Sequence, residues 1–325
     1  MTEPRRLARL FLLLPAFAAL LLCTPAPARQ SATTPAGEKR VFHLTVTDSK
    51  GRLVLGVRRE SVTAFDGGEP SEIVSFGAPD APASIMFLVD TSSSAFGLGK
   101  DSPRLAILKS ALPVFLELGN PSNEYFVTAF NQKPQILLEG SRDASAVLAA
   151  FDRLAGADLS GQTALNDALY LSLNKLALHP ARKRVLVLFS DGQENESKYS
   201  SADVMRALKE SDVIVYAVGL DLPGDDASFS YQGHLFMGGL AAETGGLAVF
   251  PQSVAAMKGS LAQIAYELRN QYEVSFAPSA RAKGDGWHAV KFKLAAEPRD
   301  ARGRKVKATL RARKGFYDAG APRKR

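Results

Sequence analysis

From Ile85 to about Leu268, short and continuously apolar runs alternate with longer segments whose apolar residues recur at helical spacing. The runs are Ile85–Val89, Tyr125–Phe130, Val185–Phe189, Val213–Val218 and Leu247–Phe250. Helical spacing covers Arg104–Leu118, Ala144–Leu154, Ala164–Leu178, Ala202–Lys209, Gly238–Thr244 and Val254–Arg269. A strand that is apolar at every position needs cover on both of its faces. The alternation therefore predicts an α/β fold, a doubly wound and mostly parallel sheet with helices on both sides.

The flanks obey another rule. Val41–Thr47, Val62–Phe65 and Ile73–Phe76 are short strand runs, with turns such as Asp48-Ser49-Lys50-Gly51 and Asp66-Gly67-Gly68 among them. Strand character returns at Tyr272–Phe276, Ala289–Leu294 and Val306–Phe316. Neither set alone offers a core, so the two are expected to pair as one small β-sandwich-like domain. Its parts are residues 40–79 and 270–318, with the α/β domain inserted as residues 80–269 and a basic tail at 319–325. Trp287 and the pair Phe316-Tyr317 are expected to anchor that core.

Arg5, Arg6 and Arg9 precede the apolar run Leu10–Leu22, and Ala26-Pro27-Ala28 supplies small residues for cleavage. This is the pattern of a secretory signal over residues 1–28, and it predicts export to the periplasm or the cell exterior. The run is too short to span a bilayer comfortably and contains Pro15, so no transmembrane helix is expected. Residues 29–39 are polar and are expected to be a disordered lead-in. Cys23 is the sole cysteine; lipid attachment there is disfavoured because Leu22, not a small residue, precedes it. Cleavage after Ala28 leaves a chain without cysteine, which excludes disulfides, thiolate zinc sites and thiol catalysis.

Charge is uneven. Residues 281–325 carry 15 Lys and Arg against 4 Asp and Glu, while residues 29–280 hold 22 against 28. The cations of the basic end alternate with apolar residues, as in Lys305-Val306-Lys307, which suits the solvent face and edge of a sheet better than a nucleic-acid patch.

An open parallel sheet binds ligands beyond the carboxyl ends of its strands. Three segments are expected to meet there: Asp90-Thr91-Ser92-Ser93-Ser94 after the first run, Ser190-Asp191-Gly192 after Val185–Phe189, and Thr163 in the loop before a helix. Asp90, Ser92, Ser94, Thr163 and Asp191 offer two carboxylates and three hydroxyls, with no sulfur and no imidazole. This set suits Mg2+, with Mn2+ or Ca2+ as substitutes, because hard cations take oxygen ligands. Two carboxylates neutralise the dication and leave it able to take one further anionic oxygen. The expected partner is a protein or other ligand presenting a carboxylate.

The three segments, in this order, resemble the metal-ion-dependent adhesion site of von Willebrand factor A domains. The flanks, Val46–Gly51 with Ser71–Phe76 and the ending Leu310–Tyr317, resemble the secreted A-domain proteins of Acidobacteria. The resemblance implies direct metal contacts from Ser92 and Ser94, with Asp90 and Asp191 often acting through water. It also implies that Thr163 enters or leaves the shell as the domain changes state. Gln162 departs from the pattern, where a second glycine often precedes the threonine.

Two other readings compete. A phosphatase of the haloacid-dehalogenase type needs a carboxylate at the position of Ser92, and no acid–base pair is evident elsewhere. His43, His179, His234 and His288 are scattered and read as surface or satisfied structural residues. A structural envelope protein with a stabilising metal is the third class. Asn195-Glu196-Ser197 has the form of a glycosylation sequon but reads as loop chemistry beside Asp191. Asp221, Asp225 and Asp226 read as a solvated turn.

Overall fold

The structure, a computed structural model, describes residues 40–96, 102–154, 162–221, 227–278, 286–294 and 298–317, without the side chains of 96 and 227–230. The expected leader with Cys23, the lead-in 29–39, the tail 319–325, and Asp225 and Asp226 lie outside the described residues.

In chain order the first flank forms β1 (Arg40–Asp48), β2 (Val62–Asp66), β3 (Glu69–Ser71) and β4 (Ile73–Gly77). The inserted part begins with β5 (Ala83–Asp90), α1 (Ser93–Phe96), α2 (Pro103–Leu118), β6 (Glu124–Phe130), β7 (Pro134–Ser141) and α3 (Ala144–Arg153). It continues with α4 (Leu165–Ala177), β8 (Lys183–Ser190), α5 (Ser201–Ser211), β9 (Ile214–Gly219), α6 (Ala227–Thr244), β10 (Ala248–Val249) and α7 (Val254–Asn270). The second flank supplies β11 (Tyr272–Phe276), β12 (Trp287–Leu294), β13 (Ala308–Ala312) and β14 (Gly315–Tyr317).

The central sheet has the order β10-β9-β8-β5-β6-β7, parallel except for β7. The alternation of side chains along β5 explains its unbroken apolar run. Ile85, Phe87 and Val89 enter one core with α2, α3 and α7, whereas Met86 and Leu88 enter the opposite core with α4, α5 and α6. All eight residues of β5 are buried. Local signals agree with the packing: Ser102 caps α2 just before Pro103, and Ser200 with Asp203 forms a capping box on α5. Among the helices of the described residues, none is long and apolar enough to cross a membrane.

The flanks interleave. One sheet has the order β13-β1-β11-β4 and the other β14-β12-β2-β3. Phe42, Leu44, Val46, Val274 and Phe276 of the first meet Val62, Ala64, Val290, Phe292 and Phe316 of the second in one core. The fold is thus a mostly parallel α/β sheet carried by a β-sandwich made from both ends of the chain.

The first sandwich sheet abuts the insert through polar groups. Glu267 of α7 is fully buried and accepts from Thr45 Oγ1 at 3.0 Å, Tyr216 OH at 2.7 Å and Arg311 Nη2 at 2.6 Å. Buried Lys183 donates to Leu268 O at 2.8 Å. Where the chain enters and leaves the insert, Arg269 clasps Asp80, its Nε 2.9 Å from Oδ2.

Four expectations need correction. The run Val306–Phe316 is not one strand: β13 pairs with β1 and β14 with β12, so the chain changes sheet between them. Residues 134–141, in which no strand was expected, form β7, an antiparallel edge with two register irregularities against β6. Helix α6 starts at Ala227, not Gly238. Phe316 is buried in the sandwich core, but Trp287 and Tyr317 are only half-buried and pack on each other at 4.9 Å outside it.

Candidate metal centre

The strand order reverses at β5: β6 lies on one side of it, and β8, next in the parallel series, lies on the other. Such a switch point opens a crevice beyond the strand ends. Asp90 ends β5, and Asp191 follows the last residue of β8. Both carboxylates therefore stand at the crevice because of the order of the strands.

Asp90 is fully buried. Its Oδ1 accepts from Ser92 N at 3.0 Å and its Oδ2 from Ser190 Oγ at 2.6 Å. Ser190 is pinned in turn, since its Oγ accepts from Gly192 N at 2.9 Å. The neighbouring Thr91 binds Phe130 O through both N at 2.7 Å and Oγ1 at 3.0 Å, which ties the turn to the end of β6. The Ser92 and Ser94 hydroxyls face each other at 3.1 Å.

Asp191 is buried too. Its Oδ1 accepts from Gln193 N at 3.0 Å, while Oδ2 is sealed from solvent without a hydrogen bond. Burial and then the charge of Asp191 raise the Asp90 carboxyl above its ordinary range, against the pull of the Ser190 and Ser92 hydrogen bonds. Burial also raises Asp191, with a contribution from Asp221, while Gln193, Ser94 and Arg104 oppose it. Two buried anions repel each other, and removing them from water costs several kcal/mol per ion. A cation beside them relieves both effects.

Thr163 is buried at the N-terminal approach to α4. Its N donates to Asn195 Oδ1 at 2.8 Å and its carbonyl accepts from Asn195 N at 3.1 Å. The next residue, Ala164, donates its N to Asn131 O at 2.8 Å, one residue beyond the Phe130 that holds Thr91. Thr163 is thus placed on the same rim as the other four residues by backbone. Among the described residues, no hydrogen bond joins its hydroxyl to them. Glu194 completes this side: its carboxylate accepts from Asn166 N at 2.7 Å, capping α4 in place of the absent side-chain cap at Ala164.

The donor set fits a small hard cation. Hydrogen bonds join Asp90, Ser92 and Ser94, and a cation or its bound water would satisfy Asp191 Oδ2. Among the described residues no group of three or more His, Cys, Asp and Glu could hold a metal ion.

Ser190, Asn195 and Glu194 were not among the expected site residues, although Ser190 is the closest partner of Asp90. Asn195 is engaged with the backbone of Thr163, in keeping with its reading as loop chemistry. Asp221 is not a solvated turn residue: it is 7% exposed and its Oδ2 lies 2.7 Å from His234 Nε2.

Residues 85–193 match the family model for the von Willebrand factor type A domain, a stretch that begins in β5 and contains all five candidate ligands. No curated protein matches the chain. Among solved structures, it is similar to the conserved hypothetical protein BatB from Bacteroides thetaiotaomicron, at 12% identity over 58% of this chain and 100% of that one, with a TM-score of 0.44. The PilB minor pilin from Streptococcus sanguinis is similar at 14% identity over 58% of this chain and 61% of its own, TM-score 0.45. A von Willebrand factor type A protein from Catenulispora acidiphila is similar at 12% identity over 86% of this chain and 75% of its own, TM-score 0.43.

Proposed function

We propose that this chain is an exported, non-enzymatic binding protein whose insert, residues 80–269, acts as a von Willebrand factor A domain with a metal-ion-dependent adhesion site. The observation that carries the reading is the buried pair Asp90 and Asp191, with one Asp191 oxygen unmatched beside the Ser92 and Ser94 hydroxyls. Asp90, Ser92, Ser94, Thr163 and Asp191 would hold Mg2+. When bound, the ion supplies an electrophilic position for one carboxylate oxygen of a partner.

The surrounding residues do the positioning. Ser190 and the Ser92 N–H fix both oxygens of Asp90, so the carboxylate cannot rotate freely. Asn195 fixes the backbone of Thr163 on both sides.

The test is a capture experiment with the full chain in Mg2+ and in EDTA, together with calorimetric titration of Mg2+. Partner capture that requires Mg2+ and is lost in Asp90→Ala supports the reading. Capture indifferent to EDTA reduces the site to a stabilising one. Turnover of phosphate or ester substrates that vanishes in Asp90→Ala, with no metal-dependent partner, replaces binding with catalysis.

A further inference from the structure

Helix α4 starts without a cap of its own: Ala164 has no polar side chain to offer, and the first amides of any helix need acceptors. The loop that leaves Asp191 supplies them. Asn195 Oδ1 accepts from Thr163 N at 2.8 Å, Glu194 Oε2 from Asn166 N at 2.7 Å and Ser197 Oγ from Asp167 N at 3.0 Å. The helix end returns as many bonds. Thr163 O accepts from Asn195 N at 3.1 Å, and Asp167 Oδ1 accepts from Lys198 N at 2.8 Å and Tyr199 N at 2.9 Å. One turn further on, the rings of Tyr170 and Tyr199 stack with their centroids 3.8 Å apart.

The loop also holds its own shape. The Glu194 carboxylate accepts from Glu196 N at 3.0 Å, Ser197 N at 2.8 Å and Ser197 Oγ at 2.7 Å. Closer to β8, Gln193 N is tied to Asp191 Oδ1 at 3.0 Å and Gly192 N to Ser190 Oγ at 2.9 Å. Every residue from Gly192 to Ser197 thus takes part in a hydrogen bond, and the stretch joins two of the candidate ligands, Asp191 and Thr163. Moving Thr163 off the rim would break its bonds to Asn195 on both sides of its backbone. It would also strip the partly buried amides of Asn166 and Asp167 of their acceptors, which water replaces poorly there.

We infer that Glu194 and Asn195 are positioning residues that join the Thr163 turn to the Asp191 loop as one body, so that Thr163 stands at the metal centre whether or not the cation is bound. The inference rests on the metal reading proposed above. Thr163 then does not enter or leave the shell, the motion that the resemblance implies. A threonine held in this way is in place before the metal arrives, and the ion spends none of its binding energy on ordering it.

Amide hydrogen exchange of the full wild-type chain, in Mg2+ and in EDTA, tests this without any variant. The amides of Thr163, Asn166 and Asp167 should already be protected in EDTA. Amides that exchange freely in EDTA, whether or not Mg2+ then protects them, overturn the inference. Calorimetric Mg2+ titration separates positioning from a general structural role. Asn195→Ala and Glu194→Ala should each weaken Mg2+ binding by about tenfold, acting through the Thr163 hydroxyl. Thr163→Val replaces that hydroxyl by a methyl group, and in its background the same two substitutions should cost nothing more. An affinity unchanged in either alanine variant, or losses that multiply with that of Thr163→Val, overturn the inference and leave the metal reading standing. A wild-type chain that takes up no Mg2+ removes the metal reading and the inference with it.

Discussion

The two oxygens of Asp191 differ: one accepts from Gln193 N, and the other is sealed from solvent without a hydrogen bond. If the site holds Mg2+ as proposed, removing that carboxylate takes away one of its two charges, so Asp191→Ala should weaken Mg2+ binding by about 10- to 100-fold. Ser93→Ala, at the residue between the two proposed hydroxyl ligands Ser92 and Ser94, should leave the affinity unchanged. Calorimetric titrations showing equal losses for both would remove Asp191 from the site. His43 supports a prediction of another kind. Its Nε2 is sealed and unpartnered, and burial, followed by the charge of Lys183, lowers its pKa from 6.5 to about 3. Between those values the unfolded chain binds the proton and the folded chain does not, so acid favours unfolding. Wild-type stability should therefore fall relative to His43→Gln as pH drops from 6.5 towards 3, and the difference between the two should be independent of pH above that window. Urea midpoints of the two proteins across that range check the sign. Asp90 and Asp191 were legible as residues because each follows an apolar strand run. Ser190 was not, because nothing separates the hydroxyl that ends β8 from ordinary strand-end chemistry until Asp90 is seen opposite it.

The glycines of α6 have opposite roles. Gly233 abuts the Asp191 carbonyl, whereas a Cβ at Gly238 would meet nothing within 4 Å. Gly233→Ala should cost about 1–3 kcal/mol through overpacking and weaken Mg2+ binding with it. Gly238→Ala should instead stabilise by about 0.5–1 kcal/mol, the helix propensity gained. Thermal unfolding and metal titration of both variants separate the effects, and equal destabilisation would contradict the packing described. These glycines also explain why α6 was only partly legible: a helix without a polar face leaves little periodicity to mark its start. Strand β7 was hidden for a different reason. Ile136-Leu137-Leu138 is apolar, but Pro134 and Gly140 bracket it and its pairing with β6 slips twice, so the period of two is broken.

At the scale of the whole molecule, β1 lies between β11 and β13, and none of β2, β3 and β4 of its own flank pairs with it. Deleting residues 270–325 should leave it with two open edges, and the truncated chain should aggregate. Residues 80–269 alone retain every strand of the central sheet and should stay soluble and bind Mg2+. Sedimentation and circular dichroism of both fragments test this, and a stably folded 40–79 fragment would contradict it. The interleaving was legible because neither flank had enough strands to make a core. The polar junction was not, because Thr45, Glu267, Gln271 and Arg311 carry no shared pattern in the sequence.

The pairing of Arg40 with Phe276 also sets a clock. Some two hundred residues separate β1 from the strand that first satisfies it, and ribosomes add about 5–20 residues each second. For roughly ten to forty-five seconds of synthesis β1 has no partner, while the insert has everything required to fold. The first of the described strands to be made is thus among the last of them to be used, and its apolar face has to be kept from other chains during the wait.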